Sequence, residues 1–390
     1  MNIVIHAFPA WEGNYLKSTV QLATELARTH RVLYVDYAYT WKDFINSIRG
    51  RGFAHWRRMI GLEKRLREVE LDNGARLHVL TLPPVLPANF LKNLRFYDAL
   101  NRLNAAVIMP TIRRTMAQLG MTGNDAPTVI NAFNPTFGVH TAGRLGERRL
   151  IYYCYDEISA ATWAKTHGAR LEQQFMEQVD AVVVSSQGLF DKKSALHPHC
   201  YLVKNGVDFA LFNQKIDPSV SKPKSPIIGY LGSVDERLDY DLLEKLARET
   251  PQYRYVFVGR VPSDGVRARL SALQNVQLVG AQPPATLPNW VQSFDVCLIP
   301  FLKNELTAGI YPLKANEYLA AGKPVVATPF ANLTDFDGVI SVADGAVAFQ
   351  KAVENSFLPN EKAIEKRINF AAKNAWSARA EEMVDILNEY

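Results

Sequence analysis

The segment from Asn304 to Pro329, NELTAGIYPLKANEYLAAGKPVVATP, permits few folds. Val296-Cys-Leu-Ile-Pro300 just before it and Pro324 to Thr328 at its end have the length and composition of buried strands. Between them a helix is expected to open at Pro312 and close at Gly322. Proline suits a first helical turn, where its missing N–H would be unpaired anyway, and glycine suits the left-handed stop. Two strands joined through a helix lie parallel, so the chain commits to an α/β sheet. The loop before such a helix is a natural anion site. The amides of Ala308, Gly309 and Ile310 are expected near the positive end of the helix, where a diphosphate is stabilised by the dipole and by unpaired donors. Lys314 adds a full cation, and Glu317, three residues on, can turn its carboxylate toward ribose hydroxyls in the same crevice.

A chain of 390 residues is long for one core and predicts two domains. With 48% hydrophobic and 21% charged residues it is globular, and a net charge of +5 is too small to argue for nucleic acid. Cys154, Cys200 and Cys297 sit in or beside apolar runs without CxxC spacing, which reads as reduced core cysteines. MNIVIHAFPA has no basic leader, and no apolar run reaches the roughly 18 residues needed to cross a bilayer. The expectation is a cytoplasmic protein, free or peripheral on the inner face of the membrane.

From the beginning, Asn2–Phe8 reads as a strand, Tyr15–Thr29 as an amphipathic helix and Arg31–Tyr37 as the next strand. The loop between the first two elements, with Gly13 and Asn14, lies where an open parallel sheet places a ligand. Arg49 to Arg67, RGRGFAHWRRMIGLEKRLR, reads as a basic helix with an apolar and aromatic face, able either to lie on an anionic membrane or to stand in solvent. Asn89–Leu119 reads as helix, interrupted at Pro110. Apolar runs at 76–82, 127–133, 149–156, 181–185 and 200–204 complete a first series of strands. Gln214–Pro226, with Pro218, Pro223 and Pro226, is the best linker. A second series follows at 227–231, 253–258, 276–279, 296–300 and 325–328. The domain reading is therefore 1–213, a linker at 214–226, a second domain over 227–370, and a C-terminal helix, 371–390, returning to the first.

Three motifs resemble the GT-B glycosyltransferases, family 4 in particular. Asn205-Gly-Val-Asp208 with Phe212 is similar to the turn closing the N-terminal domain. Ile228-Gly-Tyr-Leu-Gly-Ser233 is similar to the first strand and glycine loop of the donor domain. Asn316-Glu-Tyr-Leu-Ala-Ala-Gly-Lys-Pro-Val-Val326 is similar to the nucleotide-binding helix and exit strand. The resemblance implies two Rossmann-like doubly wound domains, an interdomain cleft and a C-terminal crossover helix. It implies that Glu317 binds ribose and that Gly232 and Ser233 flank the diphosphate. Arg237 would be a second phosphate cation, and Gly259 and Arg260 would line the nucleotide pocket. The family's first glutamate, eight positions before the second, is replaced here by Gly309, and the nearest acid is Glu305. Leu313-Lys314 with Tyr318 also resembles the donor helix of the xanthan-type glucuronosyltransferase, an inverting enzyme with an N-terminal aspartate as base. The matching candidate is Asp156, which with Glu157 emerges from Ile151-Tyr-Tyr-Cys-Tyr; helix capping is the competing role for both acids.

The expected activity is sugar transfer from a nucleotide diphosphate sugar, UDP-sugar foremost, to a glycan or polyprenyl-diphosphate-linked acceptor, with the donor as co-substrate and neither metal nor resident cofactor. Asp239-Tyr-Asp241 and Asp335-Phe-Asp337 have metal-type DxD spacing, yet Asp239 precedes a helical run and reads as its cap. An epimerase or phosphorylase on the same fold, or a non-catalytic nucleotide-sugar binder, are the alternatives. A nicotinamide dehydrogenase lacks its G-x-G-x-x-G after the first strand.

Overall fold

Fully apolar runs become strands buried on both faces, and charged, periodic stretches become the helices that cover them. The computed structural model describes residues 1–13, 17–52, 54–71, 74–160, 164, 166–214, 225–358 and 360–389. They divide into two units, Met1–Lys204 with Ala380–Tyr390, and Asn205–Arg379.

The first unit holds β1 (Asn2–Ala7), β2 (Arg31–Val35), β3 (Leu66–Glu70), β4 (Arg76–Leu80), β5 (Thr128–Ala132), β6 (Arg149–Cys154), β7 (Ala181–Val184) and β8 (Cys200–Leu202). Their order is β3-β4-β2-β1-β5-β6-β7-β8, parallel except for β3 against β4. Val4, Leu33, Ile108, Ile112, Val129, Tyr152 and Val182 lie in one apolar core between the sheet and its helices. The second unit holds β9 (Ile227–Leu231), β10 (Arg254–Val258), β11 (Val276–Gly280), β12 (Val296–Ile299), β13 (Val325–Ala327) and β14 (Ser341–Val342). Their order, β11-β10-β9-β12-β13-β14, reverses direction at β9, where a doubly wound sheet opens its ligand crevice.

Several expectations change. β3, LREVE, alternates in burial and carries charge along an antiparallel edge, so it shows no apolar run to read. Leu94–Gln118 is one helix, with Pro110 inside it and exposed, where water can satisfy the carbonyl that loses its donor. The basic helix over Arg49–Arg67 does not form. Only Trp56–Met59 is helical, Gly50 and Gly61 take φ of 69° and 81°, and the chain enters β3 at Leu66. Phe53 lies outside the described residues, as do 215–224 of the expected linker. Asn205–Asn213, read with the first domain, belongs to the second unit, where Val207 bridges Ala375 and Phe212 is buried. The helix Trp376–Glu389 begins in the second unit and ends in the first.

Candidate functional site

In the second unit, the carboxyl ends of β9 and β10 meet the helix Leu313–Ala320. β9 turns at Gly232, with φ 139°, and β10 at Gly259, with φ 151°. Neither tolerates a side chain. A Cβ on Gly232 would fall 2.3 Å from Lys314 Cε, and one on Gly259 would fall 2.0 Å from the Gly232 carbonyl oxygen. The lysine can swing away, whereas the backbone oxygen cannot. Gly259→Ala is therefore expected to lower Tm by about 5 °C or more, from strained φ plus the clash. A thermal scan indistinguishable from wild type would contradict this packing.

The helix is fixed at both ends and in its middle. Pro312 is its N-cap, and the Pro312 carbonyl accepts from the Ala315 amide at 3.0 Å. At the other end Gly322 has φ 72°, its amide donates to Leu319, and the Lys323 amide donates to Tyr318, each at 2.9 Å, the paired bonds of a Schellman stop. From sequence Tyr318 stands out only as part of the donor-helix resemblance, not as a tie to another element. Its buried hydroxyl accepts the amide of Leu231, the last residue of β9, at 2.7 Å, which ties the helix to the glycine turn.

Lys314 and Glu317 project from this helix and are both half-buried. The Lys314 ammonium lies 5.5 Å from the ring centroid of Tyr230 and 5.3 Å from that of Phe301. The Arg237 guanidinium lies 5.5 Å from the same Phe301 ring. Arg237 is held by Asp235 through bonds of 2.8 and 2.7 Å, so its charge is partly balanced, while Lys314 makes no ion pair among the described residues. Burial, and then Arg237, push the Lys314 pKa down, with Glu317 and Asp235 opposing. Burial pushes the Glu317 pKa up, and Lys314 opposes it. A cation recessed against two aromatic rings and next to a second cation favours an incoming anion.

Ser233 Oγ accepts from Arg260 Nε at 3.3 Å, on the exposed side of the same turns. Gly309 and Ile310 are arranged differently from expectation. Glu305–Ala308 is a short helix of its own, capped by Asn304; the Ala308 amide donates to Asn304 at 2.9 Å and the Ile310 amide to Thr307 at 3.0 Å. The amide of Gly309 is likewise not a free donor. The donors available to an anion are instead those opening the next helix, on Leu313 and Lys314, which have no backbone partner among the described residues.

In the first unit, Asp156 follows β6, is exposed, and accepts the Glu157 amide at 2.8 Å. Glu157 is buried and differently engaged. It accepts from Ser159 Oγ at 2.8 Å and Lys192 Nζ at 2.9 Å, with Lys193 Nζ at 3.9 Å. Burial would raise its pKa, but Lys192, Lys193 and Ser159 together hold it below the usual carboxylate range. Of the two acids, Asp156 is the exposed residue and Glu157 the buried one. Gly13 has φ 155°, and a Cβ there would fall 2.7 Å from Lys17 Nζ, the strut of the loop after β1, which donates to the Ala10 and Glu12 carbonyls. Asn14 lies outside the described residues. Asp239 is an N-cap, accepting the Leu242 amide at 2.9 Å. Among the described residues no group of three or more His, Cys, Asp or Glu could hold a metal, and no helix is long and apolar enough to cross a membrane.

Two Rossmann-like parallel sheets, one in each unit, make the GT-B fold, which solved structures share with this chain. Residues 225–357, which contain the whole Lys314 site, match the family Glycosyl transferases group 1. A Bacillus subtilis (strain 168) protein, TuaH, named as a teichuronic acid biosynthesis glycosyltransferase, is 30% identical over 167 residues, 40% of this chain. The match spans 42% of that relative's length. Among solved structures, the sucrose-phosphate synthase of Thermosynechococcus elongatus superposes with a TM-score of 0.70 at 16% identity, covering 100% of this chain and 98% of the other. Anabaena HepE in complex with UDP-glucose gives 0.67 at 12% identity, covering 100% of both chains. At these identities the structures share the fold.

Proposed function

We propose that this protein transfers a sugar from a nucleoside diphosphate sugar, with UDP-sugar as the donor, to a lipid-linked or polysaccharide acceptor at the cytoplasmic membrane face. The observation that carries the reading is Lys314 recessed beneath the Gly232 turn with no ion pair among the described residues, in the part of the chain that matches the transferase family. The diphosphate lies between the glycine turn, the Lys314 ammonium and the amides of Leu313 and Lys314, with Arg237 and Arg260 at its flank and Glu317 on the ribose. Asp156 is the base. It accepts the proton of the acceptor hydroxyl as that oxygen attacks the anomeric carbon, the bond to the diphosphate breaks, and the electron pair leaves on the diphosphate oxygen. That single displacement inverts the anomeric centre and draws its leaving-group stabilisation from protein cations and amides. Gly13 and Asn14, with Glu157 as a fixed neighbour, belong to the acceptor side.

A thermal-shift screen of nucleotide sugars, repeated with Lys314→Ala, tests this reading. A ligand that binds only the folded state raises Tm by mass action, so the donor identifies itself. A UDP-sugar should raise Tm in the wild type far more than in the variant. Equal shifts in both, or no shift from any nucleotide sugar, would remove the basis of the assignment.

A further inference from the structure

We propose that the outer face of the helix Leu94–Gln118, together with the segment before it and the helix Trp41–Ile48, docks on a bilayer bearing anionic headgroups. The inner face of Leu94–Gln118 buries Tyr97, Ile108, Ile112 and Met116 in the ordinary way. The outer face is not an ordinary solvated one, on which charges of both signs alternate. Phe96 is 68% exposed and Leu103 53%, with Val107 and Pro110 on the same side. The helix carries four arginines, Arg95, Arg102, Arg113 and Arg114, against one acid. That acid, Asp98, is bound to Arg170 at 2.6 Å. The arginine side chains have no hydrogen-bond or ion-pair partner among the described residues.

The face continues beyond the helix. Leu86 is clamped to it, its amide donating to Asn104 Oδ1 at 2.9 Å and its carbonyl accepting from Asn104 Nδ2 at 2.8 Å. Next to Leu86, the Val85 carbonyl accepts the Trp41 amide at 2.9 Å, which anchors the start of Trp41–Ile48. No residue of that short helix is buried, and Trp41, Ile45 and Ile48 are exposed. Its acid, Asp43, is engaged in the capping box with Thr40. Phe90, 70% exposed, lies between the two helices in the chain. An apolar and aromatic stripe running from Phe96 to Pro110, about 21 Å along the helix and rimmed by arginines without partners among the described residues, matches the acyl–headgroup boundary of an anionic leaflet. A second copy fits poorly, because a twofold contact would set these arginines against themselves. By contrast, Arg57 and Arg58 reach Glu63 at 2.9 and 3.7 Å, and Arg65 and Arg67 are bound to Met59 and Glu12. Arg57, Arg58 and Arg67 are thus paired with carboxylates, unlike the four arginines of the long helix. The proposal extends the membrane contact suggested above and is independent of sugar transfer, since vesicle binding needs no donor.

The test is flotation of the full chain with vesicles of phosphatidylcholine alone and with about one-third phosphatidylglycerol. Wild type is expected to bind only the anionic vesicles. Arg102→Gln with Arg113→Gln should lower the partition coefficient by about tenfold or more, since each cation at the surface contributes severalfold. Phe96→Ser with Leu103→Ser should release the protein comparably, and both pairs should keep the wild-type Tm because the side chains are exposed. Arg57→Gln with Arg58→Gln should change little. Undiminished binding by both helix variants, or equal binding to the two vesicle types, would overturn the proposal. So would a solution dimer that the helix substitutions dissolve, which would give the face to a second copy.

Discussion

Asp156→Asn is expected to cut kcat by about a hundred- to ten-thousandfold while leaving the KM for donor within a few-fold, the range for loss of a positioned general base. Asparagine preserves size and still accepts the Glu157 amide through its oxygen, so the turn after β6 is expected to persist. What disappears is the capacity to take a proton. Glu157 supplies the control. Glu157→Gln removes the charge opposite Lys192 and Lys193, and among the described residues buried Lys193 keeps only its pair with Glu172, 2.5 Å away. That change should lower Tm, because a buried cation loses a partner, with little effect on turnover well below the transition. Steady-state kinetics and a thermal scan on both variants separate the roles. Full activity in Asp156→Asn would move the base elsewhere.

Lys314→Ala is expected to weaken UDP-sugar binding by about 1.5–3 kcal/mol, the value of a charge-assisted contact, and to lower kcat further as leaving-group stabilisation is lost. Arginine should not rescue it, because the lysine side chain already lies against Gly232 and a planar guanidinium needs more room. The variant should fold at least as well as the wild type. The pKa of Lys314 is depressed by burial and by Arg237, which means that the native state without ligand disfavours its charge. The same depression sets a pH dependence. An incoming diphosphate favours the ammonium, so the complex holds the proton more tightly than the free protein, and binding takes up a proton wherever free Lys314 is partly neutral. Affinity for a UDP-sugar should therefore be greatest at neutral pH and below. It should decline by up to about tenfold per pH unit on the alkaline side, well before an ordinary lysine would titrate. In Lys314→Ala the profile should be flat over that window, as isothermal titration calorimetry can establish.

Much of the second unit was legible because its signals are local. Val296–Pro300 and Val325–Thr328 are apolar enough to be strands on any reading, and Pro312 with Gly322 bracket the helix to within a residue. What sequence could not supply were contacts between elements. The tie from Tyr318 to Leu231 spans 87 positions. The claim of Asp235 on Arg237 depends on a turn geometry that spacing does not reveal. The loop before the site was misread because Asn304 and Thr307 close a helical turn of their own and satisfy the amides assigned to an anion. In the first unit, charge composition suggested a helix over Arg49–Arg67, but its glycines and its pairs with Glu12 and Glu63 favour an irregular path into β3. The surface we propose for the membrane lies farther along, on a helix whose one proline does not break it.

The most direct measurement is a crystal structure of the protein with a UDP-sugar bound. The account predicts a phosphate oxygen within about 3 Å of Lys314 Nζ, beneath the Gly232 turn and facing the amides of Leu313 and Lys314. A nucleotide seated in the first unit, or a diphosphate held elsewhere while Lys314 stays against Tyr230 and Phe301, would contradict it.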